Sequence, residues 1–185
     1  MKTVKVLVAY ESMYGNTAMI AHAIGSGFET SGFETVVAPI DEVTSDRATG
    51  VDLLVVGGPT HVHGMSRDTT RASAAKDERN SYEHPTVTPG IRAWLDGLPE
   101  GNGRPAVAFD TRLKGPMAFT GSAAKGIGRQ LRHHGFRSVA PPQSFLVAKD
   151  NTLIEGEAQR AQEWAAGVAG AAVQRPATTP STTSG

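Results

Sequence analysis

An apolar run that ends at a polar turn and is followed by a helical pattern is the feature that most constrains the fold. The run is Val4–Tyr10, and a nearly continuous apolar segment of this length is typical of a strand buried on both faces of a parallel sheet. Beyond the turn, apolar residues recur at helical spacing at Ile20, Ala21, Ile24 and Phe28. The start of the chain therefore predicts a strand, a tight turn and a helix, which is the repeating unit of α/β folds.

The same unit recurs along the chain. Four further strands are predicted over Phe33–Ala38, Val51–Val56, Ala106–Phe109 and Phe145–Ala148, the second of them stopping abruptly at Gly57. Helices are predicted over 91–98, from about residue 122, and over 154–172. This alternation predicts a three-layer α/β fold, a doubly wound five-stranded parallel sheet with helices on both faces. Right-handed crossovers leave few strand orders, and 2-1-3-4-5 is one of them.

Length, charge and cysteine content exclude several classes of protein. The 185 residues predict one domain, 1–174, followed by a disordered tail rich in Thr, Ser and Pro, 175–185. A net charge of zero gives no indication of nucleic-acid binding or of a membrane anchor, and no segment resembles a signal peptide, so a cytoplasmic protein is expected. Without cysteine there are no disulfides and no thiolate or iron–sulfur chemistry, so redox chemistry requires an organic cofactor or a His/carboxylate metal.

The turn after the first strand is a candidate anion site, because the first N–H groups of a helix have no partner within the helix and attract phosphate. Neutral donors in the turn strengthen this interpretation, and the absence of lysine excludes the P-loop of nucleotide hydrolases. An ordinary helix cap formed by Ser12 or Asn16 is the alternative. The candidate residues are Ser12, Met13, Tyr14, Gly15, Asn16 and Thr17.

Residues 12–17 resemble the phosphate loop of the flavodoxins, S/T-x-S/T-G-N-S/T, with Tyr14 in place of the middle hydroxyl residue. The order of elements over residues 4–173 is also similar to the short-chain flavodoxins. The resemblance implies a flavodoxin-like fold with FMN as the cofactor. The same six residues are similar to the flavodoxin domains of larger flavoproteins, which implies electron transfer within a complex.

Three loops that are distant in sequence are expected to converge. The carboxyl ends of parallel strands share one edge of the sheet, so the loops after Tyr10, Val56 and Phe109 meet there. The resemblance implies that Pro59–Gly64 lies against the isoalloxazine ring and that Asp110–Arg112 lies along its pyrimidine side. The predicted ring residues are Pro59, Thr60, His61, Val62, His63, Gly64, Asp110, Thr111 and Arg112.

The chain departs from the flavodoxin pattern around the ring. Flavodoxins usually surround the ring with aromatic and acidic side chains, whereas here no aromatic residue precedes Phe119 in the second ring loop, and Arg112 and Lys114 replace acids. We expect a positive group near the N1/O2 edge to stabilise the reduced, anionic flavin. The alternative is that Arg112 pairs with Asp110 or points to solvent.

Two other patterns leave alternatives open. His61 and His63, with Asp68, have the spacing of a divalent metal site, although exposed loop histidines give the same pattern. Between residues 111 and 140 there are six Lys or Arg residues and no Asp or Glu, which indicates either a docking face for an acidic redox partner or an ordinary solvated helix face.

The resulting prediction is a flavodoxin-like electron-transfer protein with FMN, a redox carrier rather than a stand-alone oxidoreductase. Its reductase and acceptor proteins are unknown, and it is expected to be a monomer or weak dimer. One alternative is an FMN-dependent NAD(P)H:quinone-type reductase whose substrate site is shaped by the polar segment 65–89. A second is a degenerate interaction module without flavin, supported by the missing ring aromatics.

Overall fold

The computed structural model describes residues 3–61, 64–77, 80–83, 85 and 89–173. In this part of the chain the strands are β1 (Lys5–Tyr10), β2 (Glu34–Pro39), β3 (Leu53–His61), β4 (Gly64–Met65), β5 (Pro105–Leu113), β6 (Arg137–Ser138) and β7 (Gln143–Val147). The helices are α1 (Asn16–Thr30), α2 (Ser45–Thr49), α3 (Asp68–Ala75), α4 (Ile91–Asp96), α5 (Met117–Thr120), α6 (Ala123–His133) and α7 (Glu157–Val173), with a single 3-10 turn at Ile40–Glu42.

The main sheet is parallel and has the order β2-β1-β3-β5, with β6 and β7 both pairing with β5. β6 pairs with the start of β5 and β7 with its end, so two short strands share the place beyond β5. The predicted doubly wound α/β fold is confirmed, and the strand order differs from 2-1-3-4-5 in this detail. Pro141 and Pro142 separate the two pieces, because proline has no N–H to donate to a neighbouring strand. The two-residue β4, antiparallel to the end of β3, is an addition that the sequence did not predict.

Two of the predicted strands, β3 and β5, extend further than the apolar runs that predicted them. β3 continues through Gly57, Gly58 and Pro59, which pair in register with Phe109, Asp110 and Thr111 of β5. The expectation that β3 stops at Gly57 is therefore wrong. The reason is steric, since a Cβ on Gly57 would lie 2.0 Å from the ring of Phe109, so the glycine makes room for that ring inside the sheet.

The sheet is covered on both faces, as its apolar strands predict. Val6 and Val8 of β1 pack with α1 and α7 on one face, while Leu7 and Ala9 pack with α4 and α6 on the other. Alternate residues of one strand thus serve two separate cores. Helix ends and connecting loops are left at the edge where the parallel strands terminate.

Outside this framework, the polar segment contains the short helix α3, most of which is exposed. The predicted tail, 175–185, lies outside the described residues. Within the described part of the chain, no helix combines the length and the apolar character that crossing a membrane would need.

Candidate functional site

A cleft of about 610 Å³ opens at the carboxyl edge of the sheet. Its volume falls in the range of about 300–1,000 Å³ that is typical of small-molecule sites. The segments that follow or end β1, β3 and β5 converge there as predicted, and two further segments complete the wall. The lining residues are Met13, Tyr14, Asn16, Thr17, Pro59, Thr60, His61, Asp77, Asn80, Ser81, Thr111, Arg112, Leu113, Val147, Lys149, Asp150, Asn151 and Thr152.

Ser12 and Gly15 give the candidate anion loop its shape. The Ser12 hydroxyl oxygen accepts hydrogen bonds from the backbone N–H groups of Gly15, at 3.1 Å, and Ala18, at 3.3 Å. Gly15 has φ of +91°, a left-handed conformation that glycine adopts without strain. The loop therefore turns directly into α1, and it directs Asn16 and Thr17 into the cleft.

Asn16 and Thr17 connect the loop to two other strand ends. The Asn16 side-chain amide donates to the backbone oxygen of Asn151, at 2.9 Å, and to its side-chain oxygen, at 3.2 Å. The Thr17 and Thr111 hydroxyl oxygens lie 2.7 Å apart. One hydroxyl donates to the other, so the pair keeps one O–H group that can donate to a ligand.

Glu11, the one charged residue of the turn, lies beneath the loop and is fully buried. Both of its carboxylate oxygens lie 2.6–2.8 Å from the hydroxyl of Ser66. The guanidinium of Arg71, which is itself 4% exposed, lies 3.6 Å from one of them and donates to the same hydroxyl at 3.2 Å. The carboxylate also accepts a hydrogen bond from the backbone of Ile91. This buried ion pair ties α3 and α4 to the base of the anion loop.

Burial raises the pKa of Glu11, although the bonds to Ser66 and Arg71 act in the opposite direction. Because the pKa is higher in the folded than in the unfolded state, the resulting stabilisation is present below the unfolded pKa and is lost as the pH rises through the folded pKa. We therefore expect the stability of the wild type, relative to Glu11→Gln, to fall as the pH rises from about 4.5. Urea unfolding at several pH values measures this difference.

Glu29→Gln is the control for that experiment, because it makes the same substitution at an exposed residue near the end of α1. A difference between wild type and Glu11→Gln that grows in favour of the wild type with rising pH would contradict the raised pKa of Glu11.

The predicted ring residues of β3 occupy one wall of the cleft. The Thr60 hydroxyl donates to a carboxylate oxygen of Asp110 at 3.1 Å and accepts from the Ala123 backbone at 2.8 Å. Burial lowers the pKa of His61, so the imidazole is neutral at pH 7. Gly64 pairs with His61 in the β3–β4 hairpin. Val62 and His63 were also predicted, and they lie outside the described residues.

Asp110 and Arg112 occupy different environments. Asp110 is fully buried, and one of its oxygens caps α6 by accepting from Ser122 and Ala124, while its other oxygen has no partner among the described residues. Arg112 lines the cleft, and its Nη1 donates to the backbone oxygen of Gly115 at 2.8 Å and to Thr120 at 3.0 Å. The Nε–H of Arg112 is buried without an acceptor in the described structure.

Two walls of the cleft lie outside the predicted cofactor residues, although the reductase alternative expected the polar segment to shape a substrate site. In the polar segment, the Asn80 side chain donates to the backbone oxygen of Met13 at 2.9 Å, and the Tyr82 ring lies 3.0 Å from the position of a Cβ on Gly15. The turn after β7, residues 148–152, supplies Lys149 and Asn151. The rule that parallel strands end at one edge applies to β7 as well and would have located this second wall.

The metal alternative is not supported by a cluster of ligands in the described part of the chain. There, no three His, Cys, Asp or Glu residues are grouped so that they could hold a metal ion. His61 lies in the cleft wall, and the second proposed ligand, His63, is outside the described residues.

Known proteins share this fold. The chain is similar to a flavodoxin from the domain Archaea, with 19% identity and a TM-score of 0.62 over 91% of this chain and 99% of that one. It is similar to oxidised flavodoxin 1 from Bacillus cereus, with 17% identity and a TM-score of 0.62 over 94% and 99%. It also resembles rubredoxin oxygen:oxidoreductase from Desulfovibrio gigas, with 18% identity and a TM-score of 0.61 over 91% of this chain but 36% of that one.

At these identities the solved structures establish the fold alone. A comparison with curated proteins finds no match. The flavodoxin family model, in contrast, matches residues 8–164, which include the anion loop, both predicted ring segments and β7. The chain therefore belongs to the flavodoxin family.

Proposed function

We propose that this chain is an electron-transfer protein that carries FMN, the cofactor of the flavodoxin family, in the cleft at the carboxyl edge. The observation that carries the proposal is that a loop of neutral donors at the N-terminus of α1 opens into the same cleft as the ends of β3 and β5. FMN, when bound, supplies the ability to accept and release electrons.

The residues of the cleft fit this cofactor. The Thr17–Thr111 hydroxyl pair keeps one O–H donor, and the α1 N-terminus provides a positive electrostatic potential for a phosphate. The Nε–H of Arg112 is a buried donor without an acceptor in the described structure, which a polar ligand atom would satisfy. The cleft is also large enough, with a volume typical of cofactor sites.

Each wall then has a distinct role. Asn16 and Thr17 hold the phosphate, while Pro59, Thr60 and His61 lie along one side of the ring and Thr111 and Arg112 along another. Among the described residues that line the cleft, Arg112 and Lys149 oppose Asp77 and Asp150. Two cations thus offset two acids, which is consistent with a site that tolerates an anionic reduced cofactor.

An absorption spectrum of the purified protein, followed by FMN titration of the apo form, tests this proposal. Flavin bands and saturable uptake of one FMN per chain are expected. Absence of uptake by calorimetry would contradict the proposal and would favour the interaction module without flavin.

Arg112→Ala is expected to lower the midpoint potential of the fully reduced couple, because it removes a positive charge fixed beside the cleft by Gly115 and Thr120. Potentiometry of the FMN-loaded variant measures the change. Arg104→Ala is a matched control, since Arg104 precedes β5 and lies at the opposite edge of the sheet. An unchanged or raised potential in Arg112→Ala would contradict this role.

A second candidate is an FMN-dependent NAD(P)H:quinone-type reductase. The observation that favours it is that Asp77, Asn80 and Ser81 of the polar segment line the cleft together with the three strand ends. Stopped-flow oxidation of NAD(P)H, with and without quinone, distinguishes the two. Rapid quinone-dependent turnover indicates the reductase, and its absence indicates the carrier.

A further inference from the structure

We propose that the surface between the end of β5 and the first turns of α6 is a docking site for an acidic redox protein. We define this β5–α6 surface by Leu113, Lys114, Met117, Phe119, Lys125 and Arg129. The proposal rests on the proposed function and adds the chemistry of the partner and its place of contact.

Apolar side chains form the centre of this surface. Phe119 is 75% exposed, Leu113 is 51% exposed and Met117 is 37% exposed. Single exposed apolar residues are common, but three within seven positions of one loop form a patch of the kind found at the centre of protein interfaces. Leu113 also lines the cleft, so a protein bound here sits at the rim of the cofactor site.

The loop that carries the patch is held in place. The Arg112 guanidinium donates to the Gly115 carbonyl and to the Thr120 hydroxyl, and the Lys114 backbone N–H donates to the Val147 carbonyl at 2.9 Å. These bonds fix both ends of α5 against β5 and β7. The patch is therefore presented to solvent in a defined position, which lowers the entropic cost of binding.

The positive charge beside the apolar patch indicates that the binding partner is acidic. Lys114 is exposed next to Leu113, and the exposed Lys125 and Arg129 are one turn apart on the same face of α6. No acid occurs between residues 111 and 140. Asp110, which caps α6, is fully buried. The exposed acids that approach α6 do so at its far end, where Asp96 bonds to Gln130 and Glu100 lies beside Gly135. Three exposed cations, one next to Leu113 and two on the helix that follows the loop, are complementary to an acidic protein.

The shape of the β5–α6 surface and the net charge of the chain favour a protein over an anionic lipid membrane as the binding partner. The patch consists of a four-residue helix and its flanking turns. It is therefore much shorter than the amphipathic helices that bind at membrane interfaces. The chain as a whole has no net positive charge to attract a membrane. Contact at the cleft rim, by contrast, brings a redox partner close to the cofactor.

An acidic plant-type [2Fe–2S] ferredoxin is a suitable probe. The first experiment is NMR mapping of its binding to the FMN-loaded protein at low salt, repeated on the protein without FMN. Shifts or losses of amide signals confined to the β5–α6 surface are expected in both forms. Perturbations located elsewhere, no perturbation at all, or binding of phosphatidylglycerol vesicles without binding of ferredoxin would overturn the proposal.

The second experiment measures electron transfer from reduced ferredoxin to the FMN-loaded protein by stopped flow. Its rate should fall about tenfold as the salt concentration rises, because the attraction is screened. Lys114→Glu should lower the low-salt rate about tenfold, and Phe119→Ser should lower it while the salt dependence remains. Arg132→Glu, on the last turn of α6 beyond the surface, is the charge-matched control and should change little.

The outcomes separate the two proposals. Failure of FMN to bind contradicts the proposed function, while ferredoxin mapping on the FMN-free protein still tests the surface. A rate that rises with salt, or equal effects of Lys114→Glu and Arg132→Glu, would overturn the docking site and leave the FMN proposal standing.

Discussion

Arg71→Ala should lower the free energy of unfolding at pH 7 by about 3–5 kcal/mol, the range found when one member of a buried ion pair is removed. The substitution leaves the carboxylate of Glu11 buried without its cation, with the Ser66 hydroxyl as its remaining side-chain partner. It also empties the space beside Gly90, where a Cβ would lie 2.0 Å from the guanidinium. Urea unfolding monitored by circular dichroism measures the change.

A double-mutant cycle with Glu11→Gln separates the charge effect from the loss of packing. Because the double variant has no uncompensated charge, it should be more stable than the sum of the two single effects predicts, by about 1–3 kcal/mol. Arg47→Ala removes an exposed arginine from a helix and should change stability by less than about 0.5 kcal/mol. Strict additivity in the cycle would show that Glu11 and Arg71 do not act as a pair.

Asn16→Leu combined with Thr17→Val should weaken FMN binding by at least roughly 10- to 150-fold. Loss of the Thr17 hydroxyl bond to the charged phosphate accounts for about 1.5–3 kcal/mol, which gives that range. The leucine side chain that replaces Asn16 also fills space at the cleft wall and cannot form the bonds that the amide makes to Asn151. Fluorescence titration of the apo variant with FMN measures the dissociation constant.

Thr30→Val is the control for this variant, since it makes the same threonine change in the last turn of α1, far from the cleft. Near-ultraviolet circular dichroism and the melting temperature of the double variant establish whether the fold persists. A folded double variant that binds FMN as tightly as the wild type would exclude the phosphate role of these residues.

The sheet was predictable because it depends on local pattern. The apolar runs of β1 and β3 predict strands buried on both faces, and the structure shows both strands buried in this way. The extension of β3 through Gly57 was not predictable, since glycine and proline usually end a strand and the compensating Phe109 ring comes from another strand. β4 and β6 are two residues long, which is too short for any periodicity to show.

The cleft was predictable in part for the same reason. The anion loop has a local sequence signature, whereas Asn151 reaches Asn16 across 135 residues and carries none. The burial of Glu11 beside Arg71 depends on where α3 packs, and no pattern in the polar segment indicates that. Side-chain partners that come from separate elements follow from the register of the sheet, which the sequence leaves open.

The bond from Asn16 to Asn151 also sets an order for biosynthesis. The anion loop leaves the ribosome before its partner in the turn after β7, which emerges 135 residues later, and α7, which packs on α1, follows that turn. A nascent chain therefore has an incomplete cleft until the turn after β7 has been synthesised. A ligand that contacts both walls can bind only after that turn has taken its place in the fold.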